Sequence, residues 1–336
     1  MNAGFDRRQF LKVSAGAALA AALPAMAPAP VRAQGTTNLT VGMSFTNLDA
    51  VAAWVAQDLH LFEKYGLNVN ILTIQGGSRT VAAMAAGDVP LAFLAAADVI
   101  NARSRGFQLE MIGGLIGKFP YDFVVSKEIS TAAQLRGTKG AISGFGSSSE
   151  FAVRYTLQKL GIDPQDVTLL QVGNETSRLA ALSSGQIQFT VLTAGLDLVA
   201  FEYGYKPFVK LYTMGQPYQH TGIGANLPWV KAHTPAVESF LKAIIAADVY
   251  MKNPANEVAL VSLIHPHLPI KEEQLRQGLK LYREQFYTIY PLVTVPGVDF
   301  ILKTRRITQP ASDFYDNSYV RALQDAGFAA SVVRGR

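Results

Sequence analysis

The sequence predicts an α/β protein of two similar lobes followed by a helical tail. Strands and helices alternate from Leu39, the alternation restarts near Ala141, and the chain beyond Leu227 reads as mostly helical. The 336 residues suffice for two domains at about 100–200 residues each, and 49% hydrophobic against 16% charged residues is the composition of a compact globule.

In chain order, Leu39–Met43 reads as a strand, Ala50–Tyr65 as one helix stopped at Gly66, and Leu67–Ile74 as a strand. Thr80–Ala86 is helical up to Gly87, and Leu91–Leu94 and Leu109–Leu115 are buried strands. A βαβαβ rhythm of this kind implies a mainly parallel sheet covered by helices. The second round begins with Ala141–Ser143, runs through Gly144–Ser149 into a helix ending at Gly161, and continues with strand Val167–Val172 and helix Ser177–Ser184. An offset of 98 positions sets Ala82 on Ala180, Gly87 on Gly185, Val69 on Val167, Leu72 on Leu170 and Leu94 on Leu192, which indicates an internal repeat.

Tyr121–Ser126 and Thr221–Asn226 are extended segments placed where two lobes would join. The expected organisation is therefore residues 1–33 as an export segment, 34–125 with 227–336 as the first lobe, and 126–226 as an inserted second lobe. The tail helices are Pro235–Lys252, Asn256–Leu263, Lys271–Tyr287 and Asp299–Lys303, expected to pack on the first lobe.

Residues 1–33 read as an address. Asp6, Arg7, Arg8, Gln9, Phe10, Leu11 and Lys12 precede an Ala-rich apolar run and a small-x-small site at Val31–Ala33. The paired arginines before Phe10, Leu11 and Lys12 resemble a twin-arginine export signal, with Asp6 at its head. The run is broken by Pro24, Pro28 and Pro30 and falls short of the ~20 strongly apolar residues of a membrane span. The expectation is a periplasmic, soluble protein, cut near Ala33 and without a lipid anchor.

The chain contains no cysteine, which excludes disulfides, thiolate metal sites and thiol nucleophiles. Of its net charge of +5, residues 1–33 supply three, from Arg7, Arg8, Lys12 and Arg32 against Asp6. The remainder is close to neutral, so no nucleic-acid partner is expected.

The segments Leu39–Met43, Asp58–Val69, Gly76–Ser78, Ala86–Val89, Leu135–Ala141, Leu160–Val167 and Leu182–Ile187 follow one another in the order of a known family. Over about Leu39 to Glu238 the chain resembles the substrate-binding proteins of ABC importers, in the group that carries nitrate, taurine, sulfonates and pyrimidine precursors. The resemblance implies a type II periplasmic-binding-protein fold: two doubly wound α/β lobes, two hinge strands, and a small-molecule solute trapped between them. It further implies a permease and its ATPase as partners, a monomer, and no cofactor.

Ligands of open α/β sheets sit at the carboxyl ends of the strands. That singles out Ser44, Phe45, Thr46, Asn47, Gly77, Ser78 and Asp98 in the first lobe, and Phe145, Gly146, Ser147, Ser148, Ser149, Asn174, Glu175 and Thr193 in the second, with Tyr121 at the hinge. Gly146–Ser149 opens a helix, where free amides and hydroxyls hold a sulfonate, carboxylate or phosphate, although a serine there also serves as an ordinary cap. Phe45, Phe119, Tyr121 and Phe145 are candidate ring contacts or core residues. Asp98 and Glu175 can accept from an amine, and Arg79 can pair with a carboxylate or face solvent. His220 lies within reach of the cleft, whereas His265 and His267 match no zinc spacing, so no metal is expected. The ligand so described is a small organic anion or a planar heterocycle.

Enzymatic readings have weaker support. Gly144–Ser149 is a near miss to a dinucleotide fingerprint, with no acidic residue ending the next strand. No Gly-x-Ser-x-Gly elbow occurs, and the related eukaryotic pyrimidine synthases need a cysteine-rich iron motif. An exported cofactor oxidoreductase and a ligand-presenting sensor are the alternatives.

Overall fold

A computed structural model describes residues 36–74, 76–268 and 270–335. The export segment expected at 1–33 lies outside the described residues, as does Gln75.

Among the described residues, ten strands form two five-stranded sheets of the same order. The first sheet takes β1 (Thr37–Met43), β2 (Leu67–Thr73), β3 (Leu91–Ala95) and β4 (Leu109–Gly114); the second takes β5 (Tyr121–Val125), β6 (Lys139–Ile142), β7 (Thr168–Gln171), β8 (Phe189–Thr193) and β9 (Pro207–Lys210); β10 (Thr221–Asn226) returns to the first. The orders are β2-β1-β3-β10-β4 and β7-β6-β8-β5-β9. In each, the fourth strand is antiparallel to its neighbours and the first three are parallel.

The apolar runs explain which strands are central. β3, β5 and β8 are buried at every position, as strands covered on both faces must be. β2 and β7 sit at the edges with exposed positions.

Helices α1 (Val51–Asp58), α2 (Leu61–Lys64), α3 (Gly77–Ala86) and α4 (Ala96–Arg103) belong to the first round, and α5 (Ser148–Lys159), α6 (Glu175–Ser183) and α7 (Asp197–Glu202) to the second. The 98-residue offset carries β3 onto β8 end for end, and the first residue of α3 onto that of α6. Both α3 and its counterpart are followed by a glycine at positive φ, Gly87 and Gly185, the conformation that ends a helix without a Cβ penalty.

The tail is helical: α8 (Leu227–Ala232), α9 (Thr234–Lys252), α10 (Glu257–Ile264), α11 (Glu272–Gln285), α12 (Val295–Arg305), α13 (Ser318–Asp325) and α14 (Phe328–Arg334). The main core packs α9 through Phe240, Leu241, Ile244 and Ile245 against the α1 side of the first sheet. α12 begins four residues before the expected Asp299, with a proline in its first turn, where the missing N–H costs nothing.

Two expectations are corrected. The single helix Ala50–Tyr65 is two helices, because His60 adopts a left-handed conformation, φ 53, between them. The strand pairings also shift both lobe boundaries. Tyr121–Val125, expected to close the first lobe, pairs with β8 and β9 of the second sheet, while Thr221–Asn226 pairs with β3 and β4 of the first. The crossings therefore precede both strands. There the two linkers run side by side: Leu115 and Ile116 amides donate to the Thr221 carbonyl at 2.8 and 2.9 Å, and the His220 amide donates to the Ile116 carbonyl at 2.8 Å.

Candidate functional site

Between the carboxyl ends of the two sheets lies a cavity of about 50 Å³, room for roughly three to five water-sized groups at about 10–15 Å³ each. The first lobe supplies the turn after β1, Ser44–Asn47, with Gly76 and Gly77 at the start of α3 and Asp98 from α4. The second supplies Ser143, Ser148, Asn174, Glu175, Thr176, Arg178 and Leu196, and Tyr121 stands at the crossing. The repeat is visible here: the 98-residue offset relates Gly77 to Glu175 and Asp98 to Leu196, so equivalent turns face each other.

Local sequence sets these positions. Asn47 accepts from the Asp49 amide at 3.0 Å and holds the turn after β1. Asn174 caps α6 by accepting from the Ser177 amide at 2.9 Å, which brings Glu175 into the first turn, where a carboxylate is favoured. Glycine is required at Gly77, since a Cβ there would overlap the Asp98 carboxyl.

Glu175 is the hub of the lobe contact. Its Oε2 accepts from Thr193 Oγ1 at 2.8 Å and, across the cleft, from Asn47 Nδ2 at 3.3 Å. Thr193 thus supports the site from behind its wall. At the rim, exposed Ser78 donates to the Phe145 carbonyl at 3.3 Å, and the Phe145 ring is 50% exposed. Arg79 faces solvent. Phe119 belongs to the core, stacked 3.8 Å from Tyr218.

The expected anion site at Gly146–Ser149 is already satisfied from within. Ser147 caps α5, the Gly146 amide donates to Glu150 Oε2 at 2.6 Å, and Ser149 Oγ takes the Ser143 amide at 2.8 Å. A carboxylate of the helix itself holds the place an anion would take. Of this run, Ser148 alone reaches the cavity wall.

Sequence reasoning missed Arg178, the one cation among the described lining residues. It is 2% exposed, and its guanidinium donates to Gly173 O, Val191 O and Thr190 Oγ1 at 2.8, 3.0 and 3.2 Å, with Glu175 Oε1 3.6 Å away. Three of its five N–H donors are therefore engaged by the protein.

Behind the cavity runs a buried polar chain. Asp49 Oδ1 accepts from the Tyr282 hydroxyl at 2.8 Å, and its Oδ2 lies 3.6 Å from His220 Nδ1. His220 Nε2 meets the Tyr121 hydroxyl at 2.7 Å, Tyr121 donates to Ser148 at 3.3 Å, and Ser148 bonds Tyr218 at 3.0 Å. With Tyr121 donating to Ser148, His220 Nε2 is the donor to Tyr121 and Nδ1 accepts from Thr221 Oγ1 at 2.7 Å. Burial pushes His220 down to about 3 and raises Asp49 well above the usual carboxylate range, with the Glu175 charge adding to the rise. His220 is therefore neutral at pH 7.

Among the described residues, no group of three or more His, Asp or Glu is placed for a metal ion. His267 bonds Asp58 at 2.7 Å and stacks on Trp54, while His265 turns to the Ile270 carbonyl.

Two sheets of equal strand order, crossed linkers and a cavity shared by both halves define a periplasmic binding protein fold. The chain belongs to the NMT1/THI5-like family, whose model matches residues 47–257. A twin-arginine translocation signal matches residues 4–24, which marks the protein for export, and among the described residues no helix is long and apolar enough to cross a membrane. No curated protein matches the chain in sequence.

Among solved structures the fold is similar to a protein of Bordetella bronchiseptica RB50, at 18% identity and TM-score 0.77, covering 88% of this chain and 98% of that one. It is also similar to the alkanesulfonate-binding protein SsuA from Xanthomonas axonopodis pv. citri bound to MOPS, at 14% identity and TM-score 0.72, covering 84% and 99%. The periplasmic nitrate-binding protein NrtA from Synechocystis PCC 6803 aligns at 14% identity and TM-score 0.68, covering 89% of each.

Proposed function

We propose that the protein is the solute-capturing component of an ABC importer, binding a small molecule between its lobes and presenting the closed form to a permease and its ATPase. One observation carries this reading: the cavity is walled from both lobes, and the Asn47–Glu175 bond closes it from one lobe to the other. A solute touching both walls binds the closed arrangement more tightly and shifts the population toward it. The solved relatives named for sulfonates and nitrate support the same role.

The cavity volume fits a small solute. Phe45 and Tyr121 line it, and Arg178 bonds the protein through three of its five N–H donors, so the wall offers ring contact and a cation together. A hydrolytic role is poorly served: the base candidate His220 is neutral, fully buried and separated from Ser148 by Tyr121, so it does not touch a nucleophile. A thermal-shift screen of the exported protein against small anions, amines and heterocycles tests the proposal. Saturable stabilisation by one class supports it, and a library without a single stabilising solute sinks it.

A further inference from the structure

The closed cleft contains a second space. A chamber of about 140 Å³ adjoins the polar cavity, and the two share Thr46, Asn47, Thr176 and Leu196 as walls. The rest of its lining includes Leu48, Leu179, Val199 and Leu268. An apolar cavity of about 150 Å³ takes a benzene-sized group, so this chamber suits one ring or a short aliphatic chain.

The polar cavity has its own unmet demand. Asp98 is 4% exposed, and its Oδ1 has no hydrogen-bond partner. A carboxylate in the first turn of α4 is ordinary; a buried oxygen without a donor is not, because it loses its water and gains nothing. The other charged lining groups each have partners: Glu175 has Thr193 and Asn47, and Arg178 has three acceptors for its five N–H donors. Outside the lining, Arg305 donates to the Gly146 carbonyl and packs over the Phe151 ring; its Nε has no partner, and its charge holds Asp98 down against burial without bonding it.

We infer that the solute has an N–H donor head, an amine or amidine that completes Asp98, and a short apolar tail seated in the chamber beside Leu196. This rests on the solute-capture reading and narrows it. A sulfonate or nitrate head would face the Asp98 and Glu175 acids against an Arg178 already held by three protein acceptors, which sets this chain apart from relatives named for those anions.

The test is calorimetric titration of the exported protein with n-alkylamines from methylamine to pentylamine and with benzylamine, against the matching alkanesulfonates and benzenesulfonate. The expected result is that amines bind, that affinity rises about fourfold per methylene, and that Asp98→Asn lowers amine affinity tenfold or more. Val199→Phe, which fills the chamber, should abolish the gain with chain length while sparing methylamine. Tighter binding of the sulfonates, affinity flat with length, or amine binding unchanged in Asp98→Asn would overturn the inference while leaving solute capture standing. If neither series binds, the inference fails too, and the broader solute screen then decides separately whether capture itself survives.

Discussion

Asn47 of the first lobe donates to Glu175 of the second at 3.3 Å, and this bond spans the cleft where the two repeats face each other. Asn47→Ala removes it without creating a buried charge, because Thr193 still bonds Glu175. At about 1 kcal/mol for a hydrogen bond, the solute dissociation constant should rise roughly fivefold, and the melting temperature should fall as well, because the same change removes the Asn47 cap on the Asp49 amide. Titration of the variant checks this; unchanged affinity would remove the bond from the closing mechanism.

Gly77→Ala places a methyl into the Asp98 carboxyl. Both groups are buried and on rigid helices, so the expected cost is about 1–3 kcal/mol of stability, together with loss of solute binding. Denaturant melts and a titration read the two effects. Full binding in a stable variant would show that the Asp98 position is not tied to the α3 turn.

The two repeats also show what the sequence makes legible. Strands β3 and β8 keep equal lengths at an offset of 98, and the turns after the strands, Ser44–Asn47 and Asn174–Glu175, do meet in space. The capping serines mislead, because Glu150, in the first turn of α5, supplies a carboxylate to the Gly146 amide. Arg178 looks like an exposed helical arginine; its burial depends on carbonyls at Gly173 and Val191 that only the folded sheet brings to it. Asp49, His220 and Tyr282 form one chain from positions far apart, which no local pattern announces. Tyr121–Val125 and Thr221–Asn226 read as strands readily, but apolar content does not say which sheet a strand joins.

Alkaline pH should weaken the fold through Asp122. Burial, then the neighbouring Asp197 carboxyl, raises it from 3.8 to about 9, while Lys210 opposes the shift. A carboxyl raised in the folded state binds its proton more tightly there than in the unfolded chain, so its contribution is full below pH 3.8 and is lost as pH rises to about 9. Asp98, raised to about 7 by burial, loses its share in the lower part of that window. His220 works oppositely, losing stability as pH falls from 6.5 toward about 3, and so partly offsets the carboxyls in acid. Above pH 7 the His220 and Asp98 contributions have levelled off. Melting temperature should therefore fall between pH 7 and 9, with the buried Asp49 and Asp248 carboxyls, also raised by burial, adding to the fall, and Asp122→Asn should lessen it; a wild-type profile level across this range would contradict the assignment.

Ser148→Ala leaves the buried Tyr218 hydroxyl without the Ser148 oxygen it meets at 3.0 Å. The expected destabilisation is about 1–3 kcal/mol, read as a lowered melting temperature. An unshifted melt would mean that the Tyr121–Ser148–Tyr218 line adds nothing to the fold.

The central claim is that a solute sits between the lobes, and a crystal structure with a stabilising solute tests it most directly. The expected density lies against Tyr121, Asp98 and Glu175, touching both lobes at once. Density confined to one lobe or to the outer surface, with this cavity empty, would contradict the account.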